Sequence, residues 1–174
     1  MNSEALTIKI ASSADAGLIA DLSRKTFYDS FAPVNTPENM DKFMSQQFTW
    51  EKLIAEATAP EHIFLLAYLS TEPVGYACLR NSKNPKELQD LPSIEISRIY
   101  ATQQVIGKGV GKALMQGCID IAKEKKLTVI WLGVWEHNQH AINFYSKWGF
   151  EKFSQHKFML GDDEQTDWLM KKML

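Results

Sequence analysis

Apolar and polar residues alternate through LTIKIA near the start of the chain, a period of two that predicts a strand. The period then lengthens. In SSADAGLIADLSRKTFYDSF, Leu18, Ile19, Leu22, Thr26 and Phe27 recur at helical spacing, behind the capping candidates Ser12, Ser13 and Asp15. Pro33 and Pro37 punctuate a loop, and PENMDKFMSQQF and WEKLIAEA predict two short helices, with Pro37 near a first turn. HIFLLAYL and VGYACLR read as hairpin strands joined through STEP, and the polar NSKNPKELQDLPS as a surface loop. IEISRIYA predicts another strand, and GKALMQGCIDIAKEKK a helix with a stripe of Ala113, Leu114, Cys118, Ile121 and Ala122. TVIWLGVW then returns to strand, and NQHAINFYSKWG forms a helix closed by Gly149. Two last runs, FEKFSQHKFML and TDWLMKKML, flank the acidic turn GDDEQ. With no repeat or interdomain linker, this order predicts one α/β (α+β) domain over residues 1–174. Its central sheet is mixed and mostly antiparallel, flanked by helices on both faces.

Composition narrows the function classes. The 174 residues carry 45% hydrophobic and 23% charged side chains, ordinary for a soluble globular protein of one core. A net charge of -2 argues against a nucleic-acid-binding surface. Cys78 and Cys118 have no metal-like spacing and read as reduced thiols of a core or helix. The start MNSEALTIKIA lacks the basic-then-apolar order of a signal peptide, and no window is apolar enough for a membrane span. A soluble cytoplasmic protein without membrane or nucleic-acid partners is expected.

The chemistry begins at VIGKGVGKAL, where Gly107, Gly109 and Gly111 stand just ahead of a helical run. A Walker A loop would need a glycine where Ile106 stands and a hydroxyl where Ala113 stands; a dinucleotide fingerprint lacks its third glycine. What remains is shared by both motifs. Glycines let backbone N–H groups approach an anion closely, a helix N-terminus adds positive potential, and Lys108 and Lys112 add charge. The loop suits a phosphate-bearing ligand that needs no metal.

Downstream, VWEHNQHAINFYSKWGF holds Asn138, Ala141, Phe144, Tyr145 and Gly149-Phe150. Strand, glycine loop, helix and strand followed by N-x-x-A-x-x-F-Y-x-x-x-G-F resembles the GNAT superfamily of acetyl-CoA-dependent N-acetyltransferases, most sharply from Glu95 to Phe150. TFYDSFAPVNTPENM, WLGVWEHNQHAINFY and GDDEQTDWLMKKML further resemble the PaiA-type spermidine/spermine acetyltransferases. One position departs from the family loop, Gln/Arg-x-x-Gly-x-Gly/Ala: Ile106 stands first, with Gln103 and Gln104 out of register. Weakened rather than abolished coenzyme A affinity is expected, since backbone groups do most of the binding.

The resemblance implies acetyl-CoA as cosubstrate and a small-molecule amine, a polyamine by preference, as acceptor. It implies that Ile99, Tyr100 and Ala101 run beside the pantetheine arm, and that Gly107, Lys108, Gly109, Val110, Gly111 and Lys112 receive the pyrophosphate. Tyr145 would protonate the departing thiolate, and Asn138 would contact the cofactor or cap its helix. Glu95 stands where part of the family carries its catalytic base; on a cleanly alternating strand it shares a face with Ser97 and Ile99, and its other reading is a salt bridge with Arg98 or Arg80. Glu136 is a weaker rival. For the acceptor, Tyr28, Asp29 and Glu38, with Phe27 and Phe31 nearby, offer charge and aromatic surface. The run Asp162, Asp163, Glu164 could attract a polycation or be a solvated hairpin tip. His137 and His140 lack a third ligand, so no metal is expected. Alternatives are a protein or peptide acceptor, or a non-catalytic acetyl-CoA sensor, and the resemblance also allows a homodimer.

Overall fold

The computed structural model of the chain describes residues 5–174, so the first four residues, with which the leaderless reading of the N-terminus begins, lie outside the described residues. Seven strands form one sheet in the order β1-β2-β3-β4-β5-β7-β6. They are β1 (Leu6–Ile10), β2 (His62–Leu69), β3 (Glu72–Arg80), β4 (Ser93–Ala101), β5 (Val129–Trp135), β6 (Glu151–Leu160) and β7 (Asp163–Met173). Only β4 and β5 pair in parallel, so the sheet is mixed and mostly antiparallel, as the hydrophobic pattern predicts. The helices are α1 (Ala16–Phe31), α2 (Pro37–Gln46), α3 (Trp50–Thr58), α4 (Val110–Glu124) and α5 (Gln139–Lys147). No described helix is long and apolar enough to cross a membrane.

The two faces of the sheet carry different cores. On one, Leu79, Ile94, Ile96, Ile130 and Leu132 pack against Leu114, Met115 and Cys118 of α4 and Ile142 of α5. On the other, Phe64, Tyr76 and Cys78 meet Ile19 and Leu22 of α1. Phe27, Phe43 and Phe48 stack beyond them, and Phe43 of α2 reaches Phe158 of β6. Both cysteines are free and buried, and burial pushes the thiol of Cys78 up to about 11 and that of Cys118 up to about 12. The surface loop of residues 81–92 also sends Leu88 into a small core with Val129, Trp131 and Leu169.

One irregularity decides which residues of β4 meet. Pairing with β3 steps from Cys78↔Arg98 to Leu79↔Ile96, which leaves Ser97 as an extra residue. A bulge flips the alternation, so the expectation that Glu95 shares a face with Ile99 fails. Ile99 packs with the α4 core, while Tyr100 packs with the α1 core, and Arg98 reaches Glu56 of α3. Glu95, Arg98 and Tyr100 therefore share the α1 face.

The end of β4 also crowds β3. A Cβ on Gly75 would come within 2.8 Å of the Tyr100 carbonyl oxygen and 3.3 Å of Ala101 Cα. Both are backbone atoms that cannot rotate away. Gly75→Ala is therefore expected to destabilise the fold by about 2 kcal/mol, as overpacking does. Thermal melting should show a loss of roughly 4–8 °C. An unchanged melting temperature would mean that β4 has room to shift.

Candidate active site

The parallel pairing of β4 and β5 lasts four residues, from Ser93↔Val129 to Ile96↔Leu132. Past that point β4 stays with β3 as far as Ala101, and β5 stays with β7 as far as Trp135. Each strand is held by its outer neighbour, and a gap opens between them. The Thr102 N–H donates to the Val74 carbonyl at 2.8 Å, and alternation back along β4 turns the N–H and C=O of Ile99 and Ala101 toward that gap. An unpaired strand edge of this kind can receive an extended amide-bearing ligand.

The glycine loop lies at the top of the gap. Gly107 and Gly109 have φ near +84° and +85°, the left-handed region, with nothing within 4 Å of where a Cβ would stand. Gly109 caps α4. Among the described residues, the N–H groups of Gly107, Gly109, Val110, Gly111 and Lys112 donate to no carbonyl or side chain. Val110 is buried and anchors the loop, while Lys108 and Lys112 stand in solvent. Open amides, an N-terminal helix dipole and two cations make a fitting cradle for a pyrophosphate. Ile106, the odd residue of the motif, is 59% exposed and contributes no polar group to the cradle.

Tyr145 of α5 lines the α4 side of the gap, packed against Phe144 and Phe150. Burial raises its phenol well above the ordinary tyrosine range, with Cys118 adding to the effect, so the hydroxyl keeps its proton at neutral pH. Tyr100, on the opposite face, is raised in the same direction by burial and then by Tyr76 and Tyr145. Asn138 caps α5, its Oδ1 accepting the Ala141 N–H at 3.2 Å.

Glu95 is half-buried and already engaged. Its Oε2 accepts from Arg80 Nε at 3.0 Å, Arg80 Nη2 at 2.8 Å and Ser82 Oγ at 2.7 Å. Of the two arginines open to it, Arg80 is the one that pairs with it, and Arg98 pairs with Glu56. Tyr28 is 48% exposed, Asp29 pairs with Lys25 at 2.8 Å on its own helix, and Glu38 stands exposed on the first turn of α2. The expected acidic turn is shorter than GDDEQ, since β7 already begins at Asp163 and pairs back on β6: Asp162 of the turn pairs with Lys42 and Glu164 of β7 with Lys157, whereas Asp163 is held only by Gln165 at 2.9 Å. His137 lies edge-on to Trp135, and no cluster of three metal-ligating side chains occurs among the described residues.

The sequence reading missed the floor of the α1 face. Here β5 turns Trp131, Gly133 and Trp135 outward, and β7 turns Asp167 and Leu169 the same way beside them. Neighbouring β6 sets His156 directly opposite Asp167. Packing of α2 on Phe158 bounds this floor on one side. The loop of residues 81–92 bounds it on the other through Leu88 and the Glu87–Ser154 hydrogen bond of 2.7 Å. Gly133 is exposed between them. Lone polar residues on half-buried strands give little signal in a sequence; only the pairing register brings them together.

Comparison with known proteins identifies the family. Residues 24–150 match the Acetyltransferase (GNAT) family. An uncharacterized N-acetyltransferase of Lactobacillus delbrueckii subsp. lactis, encoded in the pepI 3' region, is 40% identical over 153 residues, 88% of each chain. The spermidine N(1)-acetyltransferase of Thermoplasma acidophilum is 23% identical over 171 residues, 96% of each chain. The crystal structure of the PaiA N-acetyltransferase from Thermoplasma acidophilum, in complex with coenzyme A, superimposes with a TM-score of 0.77 at 21% identity, covering 98% of this chain and 99% of that one. The glycine cradle, the parted strands and these matches lead to one conclusion: the chain is an N-acetyltransferase of the GNAT family.

Proposed function

We propose that the chain transfers the acetyl group of acetyl-CoA to a primary amine of a polyamine, by direct attack within a ternary complex. The open amides of Gly107 and of Gly109 to Lys112 would hold the pyrophosphate. The pantetheine amides would pair with Ile99 and Ala101, which carries the thioester down the gap. The Ile99 N–H, turned into the gap, would stabilise the charge that develops on the carbonyl oxygen. Tyr145, kept protonated by burial, supplies the proton for the departing sulfur.

The acceptor class rests on the acidic character of the α1 face. Asp167 and Asp163 lie four residues apart on one face of β7, about 13 Å at strand rise. Neither carboxylate is matched by lysine or arginine among the described residues. Glu95 adds a third carboxylate, tied to Arg80. Two carboxylates at that separation fit a flexible chain with an amine at the reaction centre and a second cation farther out. A cavity of about 480 Å³ between Asn35, Thr36, Asn39 and Asp163 leaves room for that distal end.

Thiol release from acetyl-CoA, measured with spermidine, spermine, a lysine peptide and an N-terminal peptide, tests the acceptor class. Turnover with the polyamines is expected, and turnover confined to the peptides would refute that class while leaving the transferase. Tyr145→Phe is expected to lower kcat by about a hundredfold with acetyl-CoA binding intact, the lower end of general-acid effects. Gly109→Ala should instead raise the KM for acetyl-CoA roughly tenfold. A side chain at left-handed φ costs about 1–2 kcal/mol, and relaxing that strain turns the amides away from the anion.

A further inference from the structure

We infer that His156, positioned by Asp167, is the base that takes the proton from the attacking amine. This rests on the transferase activity and not on the polyamine reading. Both groups converge on the floor where β5 leaves β4. Gly133 follows directly on Leu132, the last residue of β5 paired with β4. A Cβ there would lie 3.7 Å from Asp167 Oδ2 and 3.8 Å from His156 Nε2. The absence of a side chain at Gly133 leaves both atoms facing open space at the end of the gap. Nε2 and Oδ2 are themselves 3.7 Å apart, too far for a direct hydrogen bond and close enough for one nitrogen to donate to both.

An ammonium is well matched to that pair. Oδ2 holds it by charge, and Nε2 accepts one of its protons. Glu95 is an inferior acceptor, since the carboxylate oxygen turned to Arg80 and Ser82 already receives three hydrogen bonds. Asp167 raises the proton affinity of His156 above the ordinary histidine value of 6.5; partial burial opposes it and the charge of Glu95 adds to it. The charged groups facing His156 are thus Asp167 from β7 and, farther off, Glu95 of β4 with its partner Arg80 of β3. A free alkylamine with a pKa near ~10 is about one part in a thousand neutral at pH 7, so a base held at the site has work to do.

R–NH3+ gives one proton to Nε2, and the nitrogen lone pair forms the C–N bond to the acetyl carbon. The C–S bond breaks with its electron pair on sulfur, which takes a proton from Tyr145. The second ammonium proton replaces it, and His156 returns the first to solvent. Water at the same spot would follow the same course to acetate, coenzyme A and no amide.

The test measures coenzyme A release over pH 5.5–9 in two settings: with spermidine, and with no acceptor, where water is the nucleophile. Wild-type rates should rise with pH to a plateau, through a midpoint above 6.5. His156→Gln should lose about a hundredfold in both settings together with that rising limb, while calorimetric acetyl-CoA binding stays unchanged and reports an intact fold. Asp167→Asn should keep the limb and move its midpoint downward, which mere structural damage would not do. Hydrolysis that depends on His156 in the absence of any transfer to spermidine would uphold the base and refute the polyamine. Wild-type turnover and pH profile in His156→Gln would overturn the assignment. So would a limb lost only in Glu95→Gln, or acetyl-CoA left intact under every condition.

Discussion

Two parallel neighbours that each stay with an outer partner longer than with each other must part. In this chain β4 is held by β3 from Glu95 to Ala101, and β5 by β7 through seven residues, but β4 and β5 hold each other for only four. The hydrogen bonds forgone after Ile96 and Leu132 leave backbone groups exposed at the centre of the molecule, the one place where a strand edge is not at the rim of the sheet. The candidate site is arranged around that edge. The glycine cradle closes its top, Tyr145 approaches it from the α4 side, and Gly133, Asp167 and His156 form its floor on the α1 side. The aromatic packing of Phe27, Phe43, Phe48 and Phe158 keeps the α1 side from collapsing over it.

Much of this was legible before any coordinates. Strong periodicity gave all seven strands and five helices close to their observed limits, because each element buries one face and so leaves a clean trace in the sequence. The cradle was legible too, since backbone binding demands glycine and glycine is visible. The capping role of Asn138 followed from its place before α5. Residues whose meaning depends on register were not legible. Ser97 looks like any small residue of a half-buried strand, yet as a bulge it reassigns Arg98, Ile99 and Tyr100 to opposite faces. Glu95 was found by position, but its tie to Arg80 across the β3–β4 pair was only one of two readings until pairing was known. Asp29 and Glu38 drew notice for their composition, and the pairing of Asp29 with Lys25 on its own helix could not be read from that. His156 and Asp167, eleven positions apart, meet only because a hairpin folds them together.

Burial also orders the electrostatics. Buried phenols and thiols lie in the cores on both faces of the sheet, where desolvation holds Tyr100, Tyr145, Cys78 and Cys118 in their neutral forms. Asp163 and Asp167 of β7 stand on the α1 face with no lysine or arginine matched to them among the described residues. Burial alone keeps the neutral acids distinct from the charged ones.

The bulge at Ser97 gives β4 something like a reading frame. Before it, even-numbered residues face α4; after it, odd-numbered ones do. Straightening β4 with Ser97 kept in the alternation would carry the Arg98 guanidinium into the aliphatic core and lift Ile99 out toward α1. Substitutions along β4 are matters of degree, but an insertion, or a deletion that spares the bulge, moves every later residue to the other face at once. This strand should therefore tolerate drift in identity far more readily than such a change of length.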